Sequence, residues 1–252
     1  MTNDVAIAFL HGGKQGSWVW DEVRAAIKQQ AGARAPEMVA LDVPGCGIKS
    51  GRNVESLALA DVVTELTADL GAVNASRLML VGHSQAGTVL PRLAAAQRGR
   101  VAKIAYLACS VPAEGQTLAA MLGTGRQGEH EDQVGWPFDR ETTSPEAMFS
   151  TMFCNDMKPA AQSAFLAKLG GDDWPSACAT TDTVWGCEAV RDIPTHYVIA
   201  LRDQILTPPW QERFAARLGA SEISRIDAGH QLMQTRPQAV AETLLAQLKD
   251  IV

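Results

Sequence analysis

The chain has 252 residues, 46% of them hydrophobic, and a formal net charge of −6 at pH 7. A chain of this length can bury one large core as a single domain. Its acidic balance, with no basic stripe or aromatic RNA-binding motif to oppose it, argues against nucleic acid or an anionic membrane surface as a partner.

Targeting and redox features of the sequence indicate the cellular compartment. The longest apolar runs are far shorter than a membrane span, and the N-terminal residues lack the basic segment and apolar core of a signal peptide, so we expect a cytoplasmic protein. Five scattered cysteines predict free thiols rather than a disulfide framework. No histidine or cysteine spacing is typical of a metal site, and neither a metal nor an organic cofactor is expected. The oligomeric state stays open.

Strand-like and helix-like segments alternate along the chain, which predicts an α/β fold with a doubly wound, mostly parallel sheet. Short apolar runs rich in β-branched residues predict strands at Val5–Leu10, Met38–Val43, Arg77–Val81, Lys103–Ala108, Thr195–Leu201 and Glu222–Asp227. The predicted helices are Trp18–Gln30, Leu57–Leu70, Gln85–Gln97, Pro209–Leu218 and Pro237–Leu248. Pro91 removes a backbone donor and is expected to kink the third helix.

The alternation stops in the middle of the chain. About residues 111–190 hold no convincing buried strand and are predicted to be a helical lid, inserted into one domain whose core is about residues 1–110 and 191–252. Ser144-Pro145 is typical of a helix start, with serine as the N-cap and proline in the first turn. A second lid helix is expected over Pro159–Leu169.

The predicted lid is rich in aromatic residues and methionine. Two short helices need such side chains merely to dock, so a small core inside the lid explains most of them. The same side chains would also suit the apolar portion of a small-molecule substrate. The candidates for an acyl or alcohol pocket are Trp136, Met152, Phe153, Trp174 and Trp185.

The most informative motif is Gly82-His-Ser84-Gln-Ala86, directly after the strand predicted at Arg77–Val81. A serine at a tight strand-to-helix turn needs small residues two positions before and after it, because larger ones collide with the strand or the helix. Gly82 and Ala86 meet this need, although the usual pattern has glycine at the second position. The motif predicts an exposed nucleophile that forms an acyl-enzyme; the alternative is a chance occurrence at an ordinary turn.

A nucleophilic serine needs a general base and a carboxylate that orients the base. Asp203 follows the strand predicted at Thr195–Leu201, and His230 follows the strand at Glu222–Asp227. Both therefore lie, with Ser84, at the carboxyl ends of parallel strands, where open α/β sheets bind ligands. The chain order of nucleophile, acid and base is that of α/β hydrolases, and it differs from the chymotrypsin and subtilisin orders.

Two backbone N–H groups are candidates for an oxyanion hole. Gly12 and Gly13 follow the first strand and allow the backbone to turn toward the site. Gly13 is the first expected donor and Gln85, beside the nucleophile, is the second. Gly12 is expected to line the substrate site.

Four further stretches carry a family resemblance: Leu10-His-Gly-Gly-Lys-Gln-Gly-Ser-Trp-Val-Trp20, Ala40-Leu-Asp-Val-Pro-Gly45, Ile193-Pro-Thr-His-Tyr-Val-Ile and Pro237-Gln-Ala-Val. With them the chain resembles the α/β-hydrolase superfamily, and within it the branch of plant methyl esterases and hydroxynitrile lyases with their bacterial esterase relatives. The resemblance covers about residues 1–110 and 190–252. It implies an α/β-hydrolase fold, and it does not extend to the middle segment predicted to be the lid.

Residues beside the predicted triad separate the two chemistries of that branch. The lyases have threonine after the first histidine of the oxyanion loop and lysine after the catalytic histidine; Gly12 and Gln231 hold those positions here. Without that hydroxyl, and without a cation to stabilise departing cyanide, ester hydrolysis is favoured over cyanohydrin cleavage. Related dehalogenases and epoxide hydrolases use an aspartate nucleophile, which Ser84 excludes.

The predicted function is hydrolysis of a carboxylic ester of a small, partly apolar molecule through an acyl-enzyme. A carbamate, lactone or thioester would use the same residues in the attack step. Two alternatives stay open: cyanohydrin cleavage on the same scaffold, and a hydrolase-like binding protein that keeps the pocket without turnover.

Overall fold

A six-stranded parallel sheet lies at the centre of the computed structural model, which describes residues 4–169, 173–249 and 251. The spatial order is β2-β1-β3-β4-β5-β6, and every neighbouring pair is parallel. The strands are β1 Val5–Leu10, β2 Glu37–Leu41, β3 Arg77–His83, β4 Val101–Leu107, β5 Thr195–Ala200 and β6 Glu222–Ile226. The predicted parallel α/β sheet is confirmed, and each predicted strand is present with its ends shifted by at most two residues.

Burial explains why the inner strands are legible in the sequence. Every residue of β1 and of β5 is buried. Helices cover both faces of a parallel sheet, so its inner strands read as continuous apolar runs rather than alternating ones. The edge strands β2 and β6 keep several partly or fully exposed positions.

The helices of the described residues pack around this sheet. They are α1 Asp21–Ala31, α2 Leu59–Leu70, α3 Leu90–Ala96, α4 Leu118–Leu122, α5 Pro145–Phe153, α6 Pro159–Leu166, α7 Ala177–Thr180, α8 Pro208–Leu218, α9 Leu232–Thr235 and α10 Pro237–Leu248. No helix in this part of the chain is long and apolar enough to cross a bilayer.

Two of the predicted helices begin with a 3₁₀ turn in the structure. The helix predicted over Gln85–Gln97 is a 3₁₀ turn, Ser84–Thr88, followed by α3 from Leu90. The kink expected at Pro91 was wrong: proline occupies the first turn of a new helix, where its missing N–H has no intrahelical partner to lose. The helix predicted from Trp18 likewise begins as a 3₁₀ turn, Ser17–Trp20, before α1.

The chain leaves the sheet after β4 and returns at β5, its hydrogen-bonded neighbour. The described residues between them form the helices α4 to α7, a 3₁₀ turn at Glu188–Val190 and one isolated parallel bridge between Arg126 and Trp136. Helix α5 begins as predicted, because the Ser144 hydroxyl accepts a hydrogen bond from the Ala147 N–H at 3.3 Å and Pro145 follows. Helix α6 ends at Leu166, earlier than the predicted Leu169.

The strand order reverses beside β1, since the chain moves outward to β2 and then returns to form β3 on the other side. In such sheets the loops after the two strands at the reversal diverge and leave a crevice for a ligand. Gly12 follows β1 and Ser84 follows β3, so this topology places both at the crevice.

Candidate active site

Ser84 occupies a strained turn directly after β3. Its φ of 55° lies in the left-handed region, which is uncommon for a residue with a side chain. A Cβ atom at Gly82 would lie 2.7 Å from Leu90 Cδ1 and 2.9 Å from the Ala86 methyl carbon. The methyl group of Ala86 is therefore accommodated because residue 82 has no side chain, which explains how this motif departs from the usual double glycine.

The closest approach at this turn is made by Gly87, which the sequence analysis did not single out. A Cβ atom there would lie 2.2 Å from the Ser110 carbonyl oxygen and 2.9 Å from Cys109 Cβ, in the loop after β4. The Ser110 N–H also donates to the Ser84 carbonyl at 2.9 Å. Gly87 thus lets the nucleophile turn pack on the loop after β4.

We expect Gly87→Ala to lower the free energy of unfolding by about 2–3 kcal/mol, because backbone must move to admit the methyl group. Ala86→Gly is the matched control, since it removes one methyl at the neighbouring position and should cost only about 1 kcal/mol. Urea unfolding followed by circular dichroism measures both values. Equal losses in the two variants would contradict the close approach at residue 87.

Ser84, His230 and Asp203 form one continuous hydrogen-bonded chain. Ser84 Oγ lies 2.9 Å from His230 Nε2, and His230 Nδ1 lies 2.6 Å from Asp203 Oδ2. The histidine and aspartate side chains are fully buried, whereas Ser84 is partly exposed. With the imidazole proton on Nδ1, His230 donates to the carboxylate and its Nε2 accepts the serine hydroxyl.

The carboxylate of Asp203 is held on both oxygens. Its Oδ1 accepts the N–H groups of Ile205 at 2.8 Å and Leu206 at 3.0 Å, and its Oδ2 accepts the Gln211 side-chain N–H at 3.1 Å. Gln211 is fully buried on α8 and also exchanges hydrogen bonds with the backbone of Ala200. Sequence reasoning missed Gln211; a glutamine on the apolar face of a predicted helix was the available signal.

The loop after β1 passes directly over the nucleophile. A Cβ atom at Gly12 would lie 2.9 Å from Ser84 Cβ, and one at Gly13 would lie 2.5 Å from Gln85 Oε1. The Gly12 carbonyl accepts a hydrogen bond from the Trp174 indole at 3.0 Å. The C=O and N–H of a trans peptide point in opposite directions, so this bond turns the Gly13 N–H away from Trp174.

His83 hydrogen-bonds to the backbone of the loop that carries His230. Its Nε2 donates to the His230 carbonyl at 2.9 Å, and the two rings are 4.6 Å apart. Complete burial, and then the neighbouring His230, hold the pKa of His83 well below its usual value, so His83 stays neutral near pH 7. It therefore fixes the backbone of residue 230 without adding a positive charge beside the imidazole.

The aromatic candidates of the middle segment fall into two groups. Trp174 contacts the loop after β1, and the Phe153 ring lies 6.0 Å from the His230 ring. Met152, next to Phe153, is half-buried against the core. Trp136 donates to the Gly123 carbonyl. Trp185 donates to the Ala113 and Gln116 carbonyls at the start of the middle segment. The indole hydrogen bonds of Trp136 and Trp185 are therefore made within that segment.

A cavity of about 390 Å³ lies against Phe165, whose ring neighbours that of Phe153. Its walls include Trp18, Phe165 and Lys168. The Phe165 ring lies 6.2 Å from the Phe153 ring, which in turn lies 6.0 Å from the His230 ring, so aromatic rings lie between the cavity and His230. The described residues hold no group of three His, Cys, Asp or Glu side chains placed to bind a metal ion.

The model of the alpha/beta hydrolase family matches residues 7–243, and the chain belongs to this family. The chain is 24% identical to the carbendazim hydrolyzing esterase of Nocardioides sp. (strain SG-4G), over 94% of this chain and 97% of that protein. It is 35% identical to the probable esterase PIR7A of Oryza sativa subsp. japonica, over 45% of this chain and 42% of that protein. Both relatives are named as esterases, and the arrangement of Ser84, His230 and Asp203 is consistent with a serine esterase.

Solved structures share the fold at lower sequence identity. An extracellular alpha/beta-hydrolase from a Paenibacillus species has a TM-score of 0.76 at 16% identity, covering 96% of this chain and 98% of that one. Polyneuridine aldehyde esterase has a TM-score of 0.73 at 17% identity, with the same coverage. The α/β-hydrolase resemblance predicted from the sequence is confirmed.

Proposed function

We propose that the protein hydrolyses a carboxylic ester of a small, partly apolar molecule through an acyl-enzyme on Ser84, with a carbamate, lactone or thioester as related substrates. The observation that carries this proposal is the continuous chain of hydrogen bonds from Asp203 through His230 to a serine in a strained turn. The likeness to esterases along nearly the whole chain supports it.

The proposed reaction has two steps that use the same groups. His230 Nε2 takes the proton of Ser84 as the serine oxygen attacks the carbonyl carbon, and Asp203 stabilises the imidazolium. The N–H groups of Gly13 and Gln85 bind the oxyanion. His230 then protonates the departing alcohol oxygen. In the second step water loses a proton to His230, attacks the acyl carbon and releases the acid and free Ser84, so no cofactor is required.

We assign the segment between β4 and β5, about residues 111–190, as a lid on a single domain formed by about residues 1–110 and 191–252. Phe153 and Trp174 reach the triad and the oxyanion loop from this segment. They are, with Met152, the best-placed walls for an apolar substrate portion. Trp136 and Trp185 fit the alternative that such side chains hold the lid together.

A cytoplasmic location is part of the proposal. Cys109, Cys154, Cys178 and Cys187 are free thiols. Burial raises the pKa of Cys154 and of Cys187 to about 11, so both stay protonated and unreactive near pH 7. Free, unreactive thiols suit a reducing compartment.

The lyase alternative is not favoured. Gly12 carries no hydroxyl, and Gln231, beside the catalytic histidine, is a fully buried neutral amide with no hydrogen-bond partner among the described residues. The site therefore lacks both the hydroxyl and the positive charge that would stabilise a departing cyanide ion. A cyanide assay with mandelonitrile should accordingly show no release above the buffer rate.

Covalent labelling tests the proposal directly. With diethyl 4-nitrophenyl phosphate, Ser84 Oγ should bond to phosphorus and expel one equivalent of 4-nitrophenolate, leaving a diethylphosphoryl group on the Ser84 peptide in mass spectrometry. Ser76→Ala, which removes a serine hydroxyl at the far end of β3, should be labelled as the wild type is. Labelling at another serine, or none at all, would contradict an activated Ser84.

A further inference from the structure

Two residues that directly follow the C-cap of α5 contact both loops that carry the acid and the base of the triad. The Asn155 side-chain N–H donates to the Arg202 carbonyl at 2.7 Å. Asp156 Oδ2 accepts the Gly229 N–H at 2.9 Å. Arg202 directly precedes Asp203, and Gly229 directly precedes His230, so each bond holds the backbone one residue before a triad member. We call Asn155 and Asp156 the loop clamp.

The Asp156 carboxylate is buried in a way that fixes its position. Its side chain is only 2% exposed. Besides Gly229, Oδ2 accepts the Thr235 hydroxyl at 2.9 Å, and the guanidinium groups of Arg202 and Arg236 lie 3.7 and 3.8 Å away. Oδ2 thus accepts two hydrogen bonds at 2.9 Å in a buried position and anchors the Gly229 backbone.

Gly229 is shaped to receive the clamp. A Cβ atom at this position would lie 2.2 Å from Asn155 Oδ1 and 2.7 Å from Asp156 Oδ1. Any side chain at residue 229 would therefore have to displace the side chains of Asn155 and Asp156. This close approach accounts for a glycine before the catalytic histidine, in addition to the tight loop that the sequence indicated.

We propose that the loop clamp is a positioning device for the triad, with Asp156 as its main residue, and that docking of the proposed lid thereby assembles the catalytic histidine. The inference rests on the proposed esterase function. His230 must keep Ser84 at 2.9 Å and Asp203 at 2.6 Å, and a displacement of about 1 Å can cost on the order of a hundredfold in rate. The clamp acts on the triad through the backbone of the two loops, so its loss should act on kcat and spare KM.

Steady-state kinetics of Asp156→Ala with p-nitrophenyl acetate is the first test. We expect kcat to fall about tenfold to hundredfold, with KM within about twofold of wild type. Asp156→Asn keeps an acceptor for Gly229 and Thr235 and should restore most of kcat. Asp192→Ala, which removes an exposed ion pair with Arg98, is the matched control and should leave both constants unchanged.

Three results would overturn the clamp: a rise in KM at unchanged kcat, no recovery in Asp156→Asn, or an equal loss in Asp192→Ala. If Asp156→Ala does not fold, Asn155→Ala replaces it, because that change removes only the bond to the Arg202 carbonyl and should give a smaller loss confined to kcat.

Amide hydrogen exchange separates this inference from the esterase proposal. The Gly229 N–H should exchange slowly in wild type and faster in Asp156→Ala, whether or not the protein turns over esters. A wild type that hydrolyses no ester but protects Gly229 would end the functional proposal and keep the clamp contact. Ester turnover with an unprotected Gly229 amide would keep the functional proposal and end the clamp contact.

Discussion

Ser84→Ala should lower kcat for p-nitrophenyl esters by several powers of ten, because no other group can form the acyl-enzyme. The methyl side chain fits the space of the hydroxymethyl group, so the fold and substrate binding should persist. Circular dichroism and urea unfolding establish the fold, and initial rates across an acetyl to long-chain acyl series measure the loss. The acyl length that the wild type prefers sizes the pocket.

The control for this experiment is Ser76→Ala at matched concentration. Ser76 bonds to Asp4 before β3 and lies at the opposite end of the strand from the site, so its variant should match the wild type. Equal hydrolysis by wild type and Ser84→Ala would mean that the observed turnover does not pass through Ser84. The binding-protein alternative would then gain, and ligand-binding assays would follow.

Asp203→Asn should lower kcat about 10⁴-fold near neutral pH, an effect of the size known for this change in other serine hydrolase triads. The hydrogen bonds around residue 203 explain this loss of activity. Two backbone N–H groups, from Ile205 and Leu206, point at the Oδ1 position and will select the amide oxygen there. The introduced NH₂ group must then occupy the Oδ2 position, 2.6 Å from His230 Nδ1.

An N–H donor facing Nδ1 forces the imidazole proton onto Nε2. His230 then presents a donor to Ser84 and cannot accept its proton, so the nucleophile stays inactive. Asp192→Asn is the matched control, because it neutralises an exposed aspartate far from the triad. Proton NMR checks the tautomer: the His230 Nδ1–H signal present in the wild type should vanish in Asp203→Asn. Full activity of that variant would remove Asp203 from the mechanism.

Local sequence patterns were sufficient to predict the strands of the sheet and the chain order of the triad. Buried parallel strands are short continuous apolar runs, and all six were recognisable within two residues of their ends. The carboxyl ends of parallel strands meet at one edge, so placing Ser84, Asp203 and His230 after three strands already predicted that they approach one another. The hydrogen bonds at 2.9 and 2.6 Å confirm that approach.

The start of α3 shows where local patterns stop. Helical spacing after Ser84 predicted one helix with a kink at Pro91, whereas the chain makes a 3₁₀ turn and begins a new helix. The approach of Gly87 to Ser110 accompanies that turn, and it involves a loop more than twenty residues away along the chain. Periodicity within a window carries no information about such a contact.

The sequence by itself determined the parallel α/β sheet, the small residues around the nucleophile and the three strand ends that bear the triad, because each depends on residues close together in the chain. Tertiary structure alone decided that Gln211 holds Asp203 and that Asn155 and Asp156 grip the loops before Asp203 and His230. Polar side chains on helices and at helix ends are common and usually solvated. Only the packing of distant segments shows which of them hydrogen-bond to backbone or to side chains of the site.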